Sequence, residues 1–415
     1  MKEIDGVSID RLVEEYGSPI FTVSSKTLRS NISAFKDGFS KRYPRVEIAY
    51  SYKTNRLLGV LSIIHKYGLW ADVASGFEYN LARALGVSGK SIVFNGPYKK
   101  KEELKKATKE GALINIDHID ELKLLEEIAH ELGETIEIGI RINADVGIHQ
   151  SSDRFGFNLE SGEAIQIVEM CTKKKLLRIS GLHIHLTSYI IEPDNRGDFT
   201  PANRIRLIWP KGSDMYREAS KKITRLAEEI KEKFGINIKY VDMGGGFPGV
   251  DSLTPYVEAI VEPILDRFGQ DLPILILEPG RAIIRDAIHL VSTVVGVKEL
   301  PNGERVIIID AGINLLPTSL WRWQEIETVS KTQGSLKETT VYGPLCLQTD
   351  IISKVKLPEL KSGDRLVIKN VGAYNISQSS SFILPRPLVL IIENGEARIL
   401  RRNETIEDVF SFERV

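Results

Sequence analysis

The sequence predicts an α/β protein, a closed (β/α)8 TIM barrel of parallel strands followed by a C-terminal all-β domain. From about residue 46 to about residue 280, short apolar runs alternate with amphipathic stretches, as expected for strand and helix units around a barrel. After about residue 285 the pattern changes to short β-branched runs separated by turn signals. The predicted division is an N-terminal segment at 1–25 that joins the β domain, the barrel at 26–285 and the β domain at 286–415.

Eight apolar runs predict the barrel strands, at 46–53, 69–74, 91–95, 113–117, 136–143, 179–186, 238–244 and 274–278. Amphipathic stretches predict the surrounding helices, at 57–66, 101–110, 119–132, 164–171, 215–234 and 255–268. Strands of the β domain are predicted at 288–297, 305–309, 339–342, 365–370, 388–393 and 397–400. Because barrel enzymes place their active sites at the carboxyl ends of the strands, residues at those ends are the candidates for chemistry.

Composition narrows the class of partner. The net charge is −1 with acidic and basic residues interspersed, which argues against nucleic-acid binding and favours a small-molecule partner. The only cysteines, Cys171 and Cys346, are far apart, so no disulfide framework or thiolate metal site is expected. No apolar segment approaches membrane-spanning length, and the N-terminus lacks a secretion signal. These features predict a cytoplasmic protein with no membrane partner.

Lys53 ends the first predicted strand and shares one strand face with the small residues Ala49 and Ser51. Burial at a barrel mouth can lower the pKa of a lysine and free its amine to form a Schiff base. The alternative is a solvated lysine at a strand end.

Two further strand ends carry functional candidates. Gly244, Gly245 and Gly246 follow the seventh strand, where barrels commonly bind phosphate, although a plain tight turn is the alternative. Glu278 ends the eighth strand, and Arg281 follows it. This carboxylate could keep a heteroaromatic nitrogen protonated, and the guanidinium could pair with phosphate or a substrate carboxylate. A structural ion pair would explain the same two residues.

Histidines mark the sixth strand, where His183 and His185 share one face. Two imidazoles at this spacing can bind a metal ion, or one can stack on an aromatic cofactor. No further ligand set is evident in the sequence, so we expect no metal. A long connection at 189–215, containing Arg196, Arg204, Arg206, Trp209 and Lys211, is expected to be functional.

A series of motifs carries a resemblance to a known family. In order along the chain they are Tyr50-Ser51-Tyr52-Lys53-Thr54-Asn55, Ala71-Asp72-Val73-Ala74-Ser75, Asp153-Arg154-Phe155-Gly156, His183-Ile184-His185, Gly244-Gly245-Gly246-Phe247-Pro248, Glu278-Pro279-Gly280-Arg281, Gly343-Pro344-Leu345-Cys346 and Gly372-Ala373-Tyr374. This set resembles the fold-type III pyridoxal-phosphate-dependent decarboxylases of the diaminopimelate and ornithine decarboxylase family.

The resemblance implies an alanine racemase-like barrel, pyridoxal 5′-phosphate as cofactor, and a head-to-tail homodimer with shared active sites. It implies that Lys53 forms the Schiff base, His185 stacks on the cofactor ring and Glu278 pairs with the pyridine nitrogen. Cys346 would enter from the facing subunit as the proton donor, and Arg154 would pair with Asp350 across the interface. The other implied cofactor contacts are Asp72, Arg141, Ser188, Gly244, Gly245, Gly246, Gly280, Arg281 and Tyr374.

The substrate-binding positions depart from the family pattern. Leu347 follows the cysteine, where diaminopimelate decarboxylases usually carry glutamate and ornithine decarboxylases aspartate. The arginine expected after Asn314 is missing or displaced to Arg322, which leaves Arg281, Arg322, Leu347 and Tyr374 as the candidate substrate contacts. A larger or less basic amino acid, or an amino-acid conjugate, is therefore predicted as substrate. The alternatives are a diaminopimelate decarboxylase with a divergent pocket, a racemase on the same barrel, and a homologue that has lost catalysis.

Overall fold

The computed structural model describes residues 1–147, 154–186, 190–192, 206–208, 212–329 and 335–414. The chain begins with β1 (Glu3–Ile4), β2 (Val7–Ser8), α1 (Ile9–Tyr16), β3 (Ile20–Ser24) and α2 (Ser25–Ser40). Serines precede both helices as N-caps. The hydroxyl oxygen of Ser8 accepts from the amide of Arg11, and that of Ser24 accepts from the amide of Thr27.

The central part of the chain alternates between strands and helices. Its elements are β4 (Val46–Ser51), α3 (Leu58–Lys66), β5 (Trp70–Val73), α4 (Gly76–Ala84), β6 (Ile92–Phe94), α5 (Lys101–Lys109), β7 (Leu113–Ile116), α6 (Ile119–Leu132), β8 (Ile136–Asn143), β9 (Phe157–Asn158), α7 (Glu163–Thr172), β10 (Leu177–Ile184), β11 (Ile190–Glu192), β12 (Arg206–Ile208), α8 (Gly212–Phe234), β13 (Tyr240–Asp242), α9 (Thr254–Phe268), β14 (Ile274–Leu277) and α10 (Arg281–Ile284). Short 3₁₀ turns occur at Gly89–Ser91 and Val250–Ser252.

Eight of these strands close into a parallel barrel. Their order is β10, β13, β14, β4, β5, β6, β7 and β8, and pairing of β8 with β10 closes the ring. All eight predicted strands and all six predicted helices are present, so the predicted fold class is confirmed. The helices α2 and α4 were not predicted.

The barrel interior is lined by the strand face that carries Ala49. Ala49 packs with Val93, Tyr240 and Ile276 in a cluster separate from the main core. The other face of β4 carries Ile48 and Tyr50, which pack in the main hydrophobic core. The expected parity is therefore correct within β4, but the strand ends at Ser51, and Lys53, predicted to end it, lies beyond it.

The last third of the chain forms the β domain. Its elements are β15 (Ile288–Glu299), β16 (Arg305–Ile309), a 3₁₀ turn (Pro317–Leu320), β17 (Glu325–Thr328), β18 (Lys337–Tyr342), β19 (Ile351–Leu357), β20 (Arg365–Lys369), α11 (Asn375–Gln378), β21 (Val389–Glu393), β22 (Glu396–Arg401) and α12 (Ile406–Phe410). Its main sheet has the order β19, β18, β16, β15, β3, β21 and β22. The N-terminal strand β3 thus lies inside this sheet, antiparallel to β15 and parallel to β21.

A bulge in the long strand β15 joins two pairing surfaces. On one side of it, residues from Leu290 to Thr293 pair with β20, and on the other Gly296 to Glu299 pair with β16. Strands β17 and β19 were not predicted. No helix among the described residues is long and apolar enough to cross a membrane.

Candidate active site

The predicted functional residues of the barrel meet at its mouth, at the carboxyl ends of the strands. Lys53 follows β4, Asp72 ends β5, His185 follows β10, and Glu278 follows β14. The triple glycine follows β13 beside them. Since these strands are neighbours in the barrel, their ends form one continuous surface.

Lys53 lies in a turn two residues beyond the end of β4. Its Nζ lies 3.4 Å from Oδ2 of Asp72, and its side chain is 42% exposed. Desolvation would lower the pKa of Lys53, but the carboxylates of Asp72 and Glu278 outweigh that effect and raise it above the ordinary value. The prediction of a lowered pKa was therefore wrong, because it considered burial without the two acids.

Glu278 is fully enclosed in the barrel mouth. Its side chain is 1% exposed, one carboxylate oxygen accepts a hydrogen bond from Asn95, and Oε2 lies 3.2 Å from Nδ1 of His185. Burial would raise the pKa of Glu278, yet His183 and His185 together hold it well below its usual range. Burial and the charge of Glu278 raise the pKa of the neighbouring Asp242. Glu278 therefore stays ionised inside the mouth although it is buried.

The triple glycine forms an open cradle beside Glu278. Gly244 and Gly246 have φ angles of 64° and 93°, in the left-handed region that glycine adopts without strain. A Cβ on Gly245 would collide with the carbonyl oxygen of Glu278. Arg281 donates to the carbonyl oxygens of Gly246 and Phe247, at 3.2 and 3.3 Å, so a guanidinium lies against the turn.

These features fit pyridoxal phosphate. The cradle has no side chains and a cation beside it, as a phosphate group requires, and Lys53 is within reach of the same surface. Among the residues that the structure describes, neither ring nitrogen of the buried His183 nor the Oδ2 atom of Asp242 finds a hydrogen-bond partner. Such unsatisfied polar atoms are typical of a site that binds a polar ligand.

Other predicted residues also lie around the mouth. Arg141, at the end of β8, donates to Oδ2 of Asp117 at 2.9 Å, and its guanidinium lies over the ring of Phe155. Gly280 packs so tightly against Thr54 that a Cβ would collide with the threonine hydroxyl. Tyr374 has a φ of 68° and donates its amide to the carbonyl of Thr54 at 2.8 Å, which places it beside the Lys53 turn.

The guanidinium of Arg322 donates a hydrogen bond to the carbonyl oxygen of Asn370 at 3.1 Å. Burial, together with Arg285 and Arg281, lowers its pKa to about 10. Arg322 therefore lies in a cationic neighbourhood that includes Arg281 of the cradle.

The cysteine loop, residues 343–350, belongs to the β domain and lies between β18 and β19. Cys346 is exposed, and Leu347 is 39% exposed. Asp350, by contrast, is 1% exposed, and its two oxygens accept from the amides of Ile313 and Leu345 at 2.7 and 2.8 Å. Within its own chain the Asp350 carboxylate is thus bonded to two backbone amides, and its expected pairing with Arg154 across an interface stays a prediction.

Several predicted residues lie outside the described part of the chain. They include Ser188 and, from the long connection, Arg196, Arg204, Trp209 and Lys211; for Arg206 only the strand it begins is described. Conversely, the sequence analysis missed Asn95, Asn115 and Tyr240, whose side chains line the barrel beneath Glu278. Asn95 is the last residue of the strand predicted at 91–95, and a polar residue at a strand end was the available signal.

His183, His185 and Glu278 also satisfy the geometry of a metal site. One ligand atom from each lies within 4.8 Å of the others. Nε2 of His183 is 3.7 Å from Oε2 of Glu278. The metal interpretation thus uses the same residues as the cofactor interpretation, and the two exclude each other.

Comparison with known proteins identifies the class. The sequence matches the family described as "Pyridoxal-dependent decarboxylase, pyridoxal binding domain" over residues 28–197 and 211–285. This match includes more than half of the chain, and the chain belongs to that family. It is a pyridoxal-phosphate-dependent carboxy-lyase that acts on an amino acid.

Individual relatives resemble the chain from end to end. The diaminopimelate decarboxylase of Bacillus subtilis is 29% identical over 433 residues, covering 98% of this chain and 94% of that protein. The crystal structure of the Methanocaldococcus jannaschii diaminopimelate decarboxylase has a TM-score of 0.87 at 28% identity, covering 100% of this chain and 96% of that one. That of the Helicobacter pylori enzyme complexed with L-lysine has a TM-score of 0.83 at 27% identity, covering 97% and 98%.

Proposed function

We propose that the protein decarboxylates a diamino dicarboxylic acid of the diaminopimelate type, through a pocket for the distal end that differs from the family pattern. The observation that carries this proposal is the end-to-end similarity to diaminopimelate decarboxylases, which extends through the β domain as well as the barrel. The expectation of a different substrate, made from Leu347 and the missing arginine, has no support in these comparisons. The divergent-pocket alternative fits them better.

The proposed roles at the mouth follow from charge and position. When bound, pyridoxal phosphate supplies a protonated ring that accepts the electron pair left as the carboxylate departs as carbon dioxide. Glu278, ionised and buried, would hold the proton on the ring nitrogen, and Lys53 would attach the cofactor covalently. His185 would lie against the ring face, while the glycine cradle and Arg281 would bind the phosphate.

Cys346 is the proposed acid that returns a proton to Cα. Cys346 is exposed on the β domain, so its thiol is available to enter the mouth of a second copy of the chain. A thiol with a reference pKa of about 8.5 still holds its proton near neutrality and can donate it. We therefore propose a homodimer in which Cys346 of the partner subunit completes each site.

Arg322 is the proposed contact for the distal carboxylate. Burial first, and then the cations Arg285 and Arg281, lower the pKa of Arg322, so an anionic substrate group would offset both the desolvation and the repulsion. Leu347 offers no anion for the distal ammonium that diaminopimelate, lysine and ornithine all carry, so each of them loses a charged hydrogen bond worth about 1.5–3 kcal/mol. Only diaminopimelate has a distal carboxylate that could pair with Arg322. This combination favours a substrate with a second carboxylate over lysine or ornithine.

Release of carbon dioxide from diaminopimelate, lysine and ornithine by the holoenzyme tests the proposal. We expect diaminopimelate to give the highest kcat/KM, and Arg322→Met to raise KM for it about tenfold or more while changing kcat little. Leu347→Glu should improve kcat/KM for lysine or ornithine, because it supplies the missing anion. Turnover of ornithine or lysine above diaminopimelate would overturn the proposed substrate, and loss of chirality at Cα without carbon dioxide would indicate a racemase.

A further inference from the structure

A chain of buried side chains crosses the barrel interior directly beneath the mouth. The hydroxyl of Tyr240 donates to Oδ1 of Asn115 at 2.8 Å, and Nδ2 of Asn115 donates to Oδ1 of Asn95 at 2.9 Å. Nδ2 of Asn95 then donates to Oδ1 of Asp72 at 2.9 Å and also to Oε1 of Glu278. Each of these five side chains is at most 5% exposed, so water does not compete for the bonds.

The direction of every bond in this chain is determined at both ends. At the Tyr240 end of the series, burial raises the pKa of the phenol, so the phenol keeps its proton and donates it to Asn115. At the other end, the carboxylates of Asp72 and Glu278 can accept hydrogen bonds only from the NH₂ group of Asn95. A flipped amide at Asn95 would point its oxygen at two anions, and a flipped amide at Asn115 would point its oxygen at the oxygen of Asn95.

The barrel makes room for this chain with two glycines. A Cβ on Gly139 would collide with the Asn115 amide and the Tyr240 hydroxyl, and a Cβ on Gly181 would collide with the Tyr240 ring. The backbone beside Asn95 is also fixed, because Nζ of the buried Lys99 donates to the carbonyl oxygens of Gly96 at 2.7 Å and Asn115 at 3.1 Å. The position of the Asn95 amide is therefore set by close packing and by hydrogen bonds together.

We propose that Asn95 is a positioning residue of the reaction, which holds Asp72 and Glu278 as a pair of carboxylate anions with one amide group. One of these anions faces Lys53, and the other is the proposed partner of the ring nitrogen, so this inference rests on the role given to Glu278 under the proposed function. The amide has two N–H bonds and uses one for each acid. Without the Asn95 amide, the two carboxylates would repel each other within a water-poor site. Loss of the amide therefore leads one of the two acids to take up a proton.

Asn95→Leu tests this role, since it keeps the approximate size and removes both donors. Losing a hydrogen bond to the charged form raises the pKa of a carboxylate. We therefore expect the acidic limb of the pH profile of kcat/KM to move to higher pH. The pH-dependent transition in the visible spectrum of the bound cofactor should move in the same direction. At neutral pH kcat should fall about 10- to 100-fold, whereas cofactor should remain covalently bound through Lys53.

Asn31→Leu is the matched control. Asn31 is also a buried asparagine that donates to a carboxylate, Oδ1 of Asp286 at 2.7 Å, and to the carbonyl of Ile283 at 3.1 Å, but it lies on α2. This variant should lower the thermal midpoint without moving the pH profile or the cofactor spectrum. If Asn95→Leu behaves in the same way, the positioning role is overturned.

Glu278→Gln separates this inference from the proposed function. If that variant leaves the cofactor spectrum unchanged, the role of Glu278 itself is wrong. If it alters the spectrum while Asn95→Leu does not, the role of Asn95 alone is wrong. Should Asn95→Leu fail to fold, Asn115→Leu frees the Asn95 amide from one side, and we expect a smaller pH shift in the same direction; an unshifted profile in that variant overturns the proposal.

Discussion

Replacing Asp350 should loosen the loop that carries Cys346 and destabilise the β domain. The side chain is 1% exposed, and it joins two loops by accepting from the amide of Ile313 at 2.7 Å and that of Leu345 at 2.8 Å. Asp350→Ala leaves both amides without an acceptor. The second loop carries Cys346, the proposed proton donor, directly after Leu345. Loss of the Asp350 carboxylate should therefore also affect proton transfer.

The magnitude follows from those two bonds. A hydrogen bond to a charged group contributes about 1.5–3 kcal/mol, so two would give about 3–6 kcal/mol. The cost of burying the charged carboxylate partly offsets this gain. Burial raises the pKa of Asp350 by more than the two amides lower it. A net loss of about 2–4 kcal/mol is therefore expected for Asp350→Ala, and about half of that for Asp350→Asn, which keeps one acceptor.

Urea unfolding measures this loss of stability. The rate at which an alkylating reagent modifies Cys346 measures how far the cysteine loop has loosened. Asp364 provides a matched control, because it also accepts from a backbone amide, that of Lys361 at 2.8 Å, but in an exposed turn. Asp364→Ala should cost less than about 1 kcal/mol and leave both the thiol reactivity and kcat unchanged. An Asp350→Ala protein within about 0.5 kcal/mol of the parent would refute the reasoning.

Four further outcomes are expected. Lys99 and Glu121 form a fully buried ion pair at 2.6 Å, so Lys99→Met should cost about 3–5 kcal/mol in urea unfolding, and Lys99→Met with Glu121→Leu should recover most of that loss. Burial lowers the pKa of His289 to about 4 against about 6.5 when unfolded, so its contribution to stability is complete above about pH 6.5 and is lost as the pH falls towards 4. Denaturant midpoints measured at pH 7 and pH 5 should therefore differ less in His289→Asn than in the parent. Lys53→Ala should abolish the visible absorption of bound cofactor while far-UV circular dichroism stays unchanged, and a retained band would remove Lys53 from its role. Dialysis of the holoenzyme against EDTA should leave carbon dioxide release unaltered. A loss of activity that a divalent cation restores would instead support the metal interpretation of His183, His185 and Glu278.

The barrel was predictable because each strand and helix has its own local pattern. The helix α2 carried the same kind of signal, with Leu28, Ile32, Phe35 and Phe39 buried at helical spacing, and it could have been predicted. Strand β19 was readable in part, because the lysines at 354 and 356 alternate with apolar neighbours. These omissions concern elements whose periodicity is visible in the sequence but was not used.

The interior network could not be predicted in the same way. Asn95, Asn115 and Tyr240 come from three strands, and only closure of the barrel brings their side chains together. The raised pKa of Lys53 has the same origin, because Asp72 and Glu278 reach it from other strand ends. Local pattern thus predicts which residues face inward, while the charge state of each depends on neighbours that are distant in the sequence.

The reaction class and the substrate are encoded in different parts of this fold. The groups proposed for the chemistry stand at the ends of paired strands, so the register of the barrel fixes their relative positions. The proposed substrate contacts Arg322 and Leu347 stand on loops of the β domain that side chains hold together. Asp350 joins the cysteine loop to Ile313, and Nδ2 of Asn314 donates to the carbonyl oxygen of Ser380 at 3.3 Å. Substitutions such as Leu347 can change those loops without moving a barrel strand. A chain of this family can therefore keep the groups proposed for the chemistry of the barrel mouth while the loops proposed to bind the substrate diverge.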